Sequence, residues 1–394
     1  MTDTIVDDIT KLTINSEEKK LNITDEKKLN IAILGYKVAL LPPWDPNTTE
    51  TGLPGSEECA VYASDELARR GHKVTVYMNP PTDSKFRFPE SNPRWVSVDE
   101  WTNKIETGKD NDAKYDLVLM WRRGDLATGK ERGTYVFFWP HDSPGMVQPN
   151  MIFPPFDGIC ILSKHHHRQY CAFSSFANIP YIVCGNGLVP EQFAKPCQFT
   201  NPFSIGYFSN YSRGLFLLIM FWPEIRKEFP TATLAICYGR ETWNTMQPEQ
   251  LKYLCAKIEE YKTQGVTEHG KVGHLQLAKI MCETSIWAYP CNTESETFCI
   301  TAVKCCAAGM IPVTTQIGAL LETVHPDAPH MEPITNNAGA HKYKDLLLTT
   351  LKRVKDTPAE EMRTERQKYI DFGLSFSWKC CIDRWLQLYN TVAK

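Results

Sequence analysis

Three loops that follow apolar strands hold the residues with chemistry to offer. The first is Gly52-Leu53-Pro54-Gly55-Ser56, a glycine-containing turn that opens a helix. Backbone can approach a ligand closely there, and a helix N-terminus can hold an anion. Its plain alternative is an ordinary turn. The second is Pro140-His141-Asp142-Ser143-Pro144. A histidine beside a carboxylate can orient a substrate hydroxyl or support developing charge. The alternative is a solvated loop with a capping aspartate. The third runs from Pro290 to Thr301 and into another helix. It joins Glu296, suited to sugar hydroxyls, to a row of amides from Phe298 to Thr301, suited to a diphosphate.

Loops become sites only if the elements behind them aim them at one place. Leu29-Asn30-Ile31-Ala32-Ile33-Leu34-Gly35 reads as a buried first strand. A helix from about Glu57 to Arg70 follows, with Ser56 as N-cap and Glu57 and Glu58 in its first turn, where the helix dipole favours negative charge. Lys73 to Tyr77 is the next strand, which completes the seed of a parallel sheet. Buried strands are expected at 115–120, 135–139 and 158–162. A Gly/Pro/Asn/Gln stretch from Gly185 to Thr200 marks a domain boundary.

A second series then begins. Strands are expected at Ser204–Tyr207, Thr233–Cys237, Ser285–Tyr289 and Ile311–Thr314, the last with Pro312 marking an edge or a strand end. Helices are expected from Gly214 to Phe229, kinked at Pro223, from Thr301 to Ala308, and from about Asp356 to the end. The fold class is α/β, two Rossmann-like domains facing a cleft. Residues 1–28 form a mobile tail, 29–195 the first domain, 196–375 the second, and 376–394 a helix that crosses back. Ligands of such sheets sit outside the carboxyl ends of the strands, where the three loops lie.

Composition removes several function classes. The 394 residues carry 43 Lys plus Arg against 46 Asp plus Glu, a net charge of -3, which gives no support to nucleic-acid binding. The longest apolar run, Leu215 to Trp222, is far short of the roughly 20 residues that span a bilayer. Peripheral membrane contact stays open. The 14 cysteines sit mostly in apolar settings and include no C-x-x-C pair, so they read as free buried thiols. Met1 to Asn30 has no apolar core of signal-peptide type, which points to a cytoplasmic protein.

The run Glu296-Thr297-Phe298-Cys299, then Ala307 to Val313, then Gly318 and Glu322, resembles the donor-site signature of family 4 glycosyltransferases (glycosyl transferase group 1) of the GT-B fold. Gly55 with Leu67 to Val74, Asn186-Gly187 with Phe193, Gly206 through Arg213-Gly214, and Phe376 to Tyr389 resemble further segments in the same order. The resemblance covers about Gly52 to Val324 plus the final helix.

It implies a retaining glycosyltransferase that moves a sugar from a UDP- or GDP-sugar to a hydroxyl of a glycan or other acceptor. The donor is then held by the second domain and the acceptor by the first, with no metal or other cofactor required. By position, Glu296 contacts the donor sugar and His141 lies beside the reacting carbon, with Asp142 next to it. The amides of Cys299, Ile300 and Thr301 hold the diphosphate with Arg213. Gly55, Thr297 and Phe298 belong to the donor site, and Tyr238-Gly239 and Lys271-Val272 flank the base.

Two positions depart from the family pattern. Lys304 stands where a second glutamate usually binds ribose, and a lysine cannot accept hydroxyl hydrogen bonds. Tyr207 follows Gly206 where an arginine is usual. The charge at Lys304 keeps open a catalytically weak sugar-nucleotide or glycan-binding module, and an epimerase on the same fold, using Asp142 and Glu296, is a third reading. Other clusters are weaker. His165-His166-His167 cannot converge on one ion from one helix face. Asp110-Asn111-Asp112 reads as a solvated loop, and Trp121-Arg122-Arg123 as an acceptor-lining segment or a surface cation pair.

Overall fold

The computed structural model describes residues 27–37, 41–107, 114–124, 133–144, 156–173, 176, 178–194, 200–240 and 246–394. Most of the expected tail, the Lys195-Pro196 end of the linker and Asp110-Asn111-Asp112 lie outside them.

The strands form two sheets. The first contains β1 (Asn30–Leu34), β2 (Lys73–Met78), β3 (Arg94–Ser97), β4 (Tyr115–Trp121), β5 (Gly133–Trp139), β6 (Gly158–Ile161) and β7 (Tyr181–Val183), in the order β3-β2-β1-β4-β5-β6-β7. The second contains β8 (Ser204–Tyr207), β9 (Thr233–Cys237), β10 (Val266–Gly270), β11 (Ile286–Tyr289), β12 (Ile311–Thr315) and β13 (His330–Met331), in the order β10-β9-β8-β11-β12-β13. All strand pairings between these elements are parallel. The helices are α1 (Gly55–Arg69), α2 (Val98–Thr107), α3 (Lys164–Cys171), α4 (Leu215–Glu228), α5 (Pro248–Tyr261), α6 (His274–Cys282), α7 (Ile300–Ala307), α8 (Leu320–Thr323), α9 (Asn337–Asp356), α10 (Ala359–Leu374) and α11 (Trp378–Val392).

Strands buried on both faces must be apolar, and β6 and β11 are so throughout, as are β1 beyond Asn30 and β4 beyond Asp116. The strands that the apolar runs did not reveal are of a different kind. β10 alternates buried and exposed residues at the edge of its sheet, and β7 and β13 have three and two residues. In each sheet the strand order reverses beside the first strand, between β1 and β4 and between β8 and β11. A crevice opens at such a reversal.

Three local expectations need correction or narrowing. α1 begins at Gly55 with Pro54 in the cap position and no side-chain cap, so Ser56 lies inside the helix. Of the two positions open to Pro312 the edge is excluded, because β12 lies between β11 and β13, and the strand end holds, since Pro312 is second in β12. β13 pairs only with Thr314 and Thr315, so the missing N–H of Pro312 falls short of that ladder. The C-terminal stretch is two helices, α10 and α11, with a break at Ser375 to Ser377. All thirteen described cysteines are free, and most are buried.

α11 returns to the first sheet. Its Trp385 meets Trp139 of β5 edge to face at 4.6 Å between ring centroids, and Trp378 lies against the same ring. The chain therefore passes between the sheets twice, and the two passes touch. Leu188 bridges Ser377, and its amide donates to the Phe376 carbonyl at 2.7 Å. Trp385 is almost wholly buried. Trp385→Ala is expected to cost about 3–5 kcal/mol of stability in chemical denaturation. A cost under about 1 kcal/mol would mean that α11 does not hold the two halves together.

Candidate functional site

A cleft of about 650 Å³ opens between the carboxyl edges of the two sheets. The turn before α1, the end of β4 and the loop after β5 supply one wall. The loops after β8, β9, β10 and β11, with the start of α7, supply the other. Of the residues singled out from the sequence for catalysis or donor binding, all but Gly239 line it. Gly239 packs just behind, against the backbone of Lys271.

Backbone constraint concentrates around this cleft. The non-glycine residues with positive φ among those described are Arg122, Tyr238 and Cys299, and each lines the cleft. Such conformations carry strain and persist only where the surroundings enforce them. Cys299, at φ 58°, turns the chain into α7. The amides of Cys299, Ile300 and Thr301 find no protein acceptor among the described residues, so α7 offers a free N-terminus.

Two glycines hold the neighbouring loops in place. Gly318 has φ 57°, and a Cβ there would lie 2.7 Å from the Glu296 carbonyl oxygen, which accepts from the Ala319 amide at 2.9 Å. Gly214, at φ 113°, lets the turn that carries Arg213 approach Pro290, whose carbonyl oxygen would lie 2.5 Å from an added Cβ. Glu296 and Arg213 are thus fixed against each other through their backbones.

The side chains complete that arrangement. Arg213 donates Nη1 to Glu296 Oε2 at 2.7 Å, and the Tyr289 hydroxyl donates to the same oxygen at 3.0 Å. The carboxylate raises the Arg213 pKa further, so the guanidinium is a permanent cation. Its fork has further N–H donors for another anion. His141 is buried and stacked edge-on against Trp139 at 4.6 Å. Burial, with Arg122 and His166 nearby, holds it well below the ordinary histidine range and therefore neutral. Its Nε2 is buried and has no partner among the described residues. The loop after β11 reaches His141 directly, since Thr297 donates its hydroxyl to the His141 carbonyl at 2.9 Å.

Asp142 is committed elsewhere. Both its oxygens accept from Arg122, at 2.8 and 3.0 Å, and Arg122 Nη1 donates to Glu57 Oε1 at 2.8 Å. Arg122 is therefore not a free surface cation, but a partly buried fork that ties the end of β4 to α1 and to the His141 loop. The three histidines of α3 diverge. His165 meets the Glu294 carbonyl, His166 the Asp142 carbonyl, and His167 stacks on Tyr181. At the N-terminus of α3, the amides of Lys164 and His165 donate to the Glu322 carboxylate, at 2.8 and 2.7 Å, from the opposite wall.

The departure at position 304 is resolved geometrically. Lys304 Nζ donates to both oxygens of Glu58 at 2.7 Å, across the cleft and 246 residues away. His274 Nε2 lies 3.1 Å from Glu58 Oε2. The hydrogen bond of Nε2 is to the Leu53 carbonyl at 3.3 Å, which can only accept, so Nε2 carries the proton and Nδ1 of the neutral ring accepts from the Tyr62 hydroxyl at 2.7 Å. Glu58 and His274 were not singled out as site residues from the sequence. The available signal was Lys304 itself, since a lysine in a helix of small apolar residues needs a carboxylate partner.

Residues 190–354 match the family model described as Glycosyl transferases group 1. No curated protein matches the chain by sequence. Among solved structures, sucrose-phosphate synthase from Thermosynechococcus elongatus superposes with a TM-score of 0.65 at 16% identity, covering 92% of this chain and 99% of that one. The catalytic domain of starch synthase IV from Arabidopsis thaliana, bound to ADP and acarbose, gives 0.61 at 11%, covering 93% and 100%. Anabaena Alr3699/HepE in complex with UDP-glucose gives 0.59 at 14%, covering 92% and 98%. The chain has the GT-B glycosyltransferase fold.

Glu57 gives the cleft a pH signature. Burial pushes its carboxyl up from 4.5 to about 7, against the pull of Arg122. A raised carboxyl pKa contributes stability that is present below the unfolded value and lost as pH rises through the folded one. Wild type should therefore lose about 3 kcal/mol relative to Glu57→Gln between pH 4.5 and 7, measured by urea unfolding. A difference that stays flat would show that Arg122, and not burial, sets the state of Glu57.

Proposed function

We propose that this protein transfers a sugar from a UDP- or GDP-sugar to a hydroxyl of a glycan or other acceptor, with retention of configuration and without a metal. The observation that carries the reading is the meeting of Arg213, Glu296 and the free N-terminus of α7 in one cleft. The N-terminus and the guanidinium suit a diphosphate, and the unengaged Glu296 Oε1 suits a sugar hydroxyl. The domain built on the second sheet would hold the donor, with Tyr238 and Lys271-Val272 around the base. The acceptor would enter over the first. The solved neighbours of the same fold that carry ADP with acarbose or UDP-glucose agree with this substrate class.

In the proposed reaction the acceptor hydroxyl attacks the sugar's anomeric carbon from the face that the diphosphate leaves. The new carbon–oxygen bond forms as the bond to the phosphate oxygen breaks, and the hydroxyl proton passes to that departing oxygen. Arg213 and the α7 amides stabilise the charge that builds on the diphosphate, which supplies the help a metal gives elsewhere. Neutral His141, with its unpartnered Nε2, offers one hydrogen bond to the sugar without adding charge. Asp142 would act through Arg122 as a positioning residue.

The test is turnover of a panel of UDP- and GDP-sugars with glycan acceptors, by wild type and by Glu296→Ala. Wild type should turn over at least one donor, unaffected by EDTA, and Glu296→Ala should be slower by about 10²–10³-fold. An unchanged mutant rate removes the role given to Glu296. NMR of the product linkage decides retention.

A further inference from the structure

The Glu58 cluster lies where the middle of a nucleotide sugar must pass. With the diphosphate on the N-terminus of α7 and the base near Tyr238 and Val272, the ribose spans the gap between them. Lys304 is four residues beyond Ile300, one turn along α7 and about 6 Å further on. Lys304, Glu58 and His274 all line the cleft there.

Ribose hydroxyls donate as well as accept, and carboxylates commonly read them in nucleotide sites of α/β folds. Lys304 and the Nε2–H of His274 are donors only, so Glu58 is the acceptor of this group. An ionised carboxylate has about four lone-pair sites. Lys304 occupies one on each oxygen, which leaves capacity on both. We infer that Glu58, carried by the first sheet's helix α1, reads the donor's ribose hydroxyls, and that Lys304 holds it in position. Nucleotide recognition is then shared by both walls of the cleft. This rests on the nucleotide-sugar reading of the site.

The experiment is calorimetric titration with UDP and GDP and with their 2′,3′-dideoxy counterparts. Wild type should bind the ribonucleotide about tenfold or more tighter than its dideoxy form. Glu58→Leu combined with Lys304→Met removes both buried charges together, a change that folded proteins commonly tolerate. Its ratio should fall to near one. Glu58→Gln keeps an acceptor and the side-chain shape but leaves the buried Lys304 ammonium without its carboxylate, so it should give an intermediate ratio at a lower melting temperature. A wild-type ratio of one, or a double variant that keeps the wild-type ratio, overturns the role of Glu58 and leaves the donor site standing. If neither diphosphate binds wild type, the nucleotide-sugar reading itself falls, and this inference with it.

Discussion

Parallel strands deliver their C-terminal loops to one edge of a sheet. In this protein two wholly parallel sheets turn that edge toward each other, and each edge has its strand-order reversal near the middle. Everything of chemical interest follows from that facing. The loop after β1 meets the loop after β10, the end of β4 meets α1, and the loop after β11 reaches across to the carbonyl of His141. No single loop has enough chemistry to define a site. The cleft obtains it by collecting short segments from distant parts of the chain.

Charge in the cleft is organised by pairing. Arg122 is forked between Glu57 and Asp142, Arg213 rests on Glu296, and Lys304 rests on Glu58. Each cation is held by a carboxylate before any ligand arrives, which fixes its position without leaving an uncompensated buried charge. Two histidines at the site are kept electrically silent. His141 is held neutral mainly by burial, and so is His274, whose Nε2 proton faces the Leu53 carbonyl. The whole-chain balance of -3 carries no trace of this local order.

The fold was legible wherever burial on both sides forced an unbroken apolar run, as in β1, β4 and β11. It was illegible in β10, whose exposed edge tolerates Thr267 and His269, and in β7 and β13, which are too short to leave a pattern. For the site, Glu296, Arg213 and the start of α7 could be read because one continuous loop and one turn carry them. Glu58 could not be read as their neighbour. Its contact with Lys304 closes a loop of 246 residues, and sequence spacing says nothing about which two edges will face each other. Arg122 was ambiguous for a related reason, because its burial depends on Glu57 and Asp142 arriving from two other elements.

The two passes of the chain between the sheets lie side by side, joined at Leu188 and Ser377. A panel hung on one cord can spin, but one hung on two adjacent straps can only swing. Neighbouring crossings tied by hydrogen bonds restrict the halves to a single axis along that seam and oppose rotation in the plane of the cleft. Widening would then separate the walls like the covers of a book, with the greatest travel far from the spine. The register between the two walls would then be kept as the covers part.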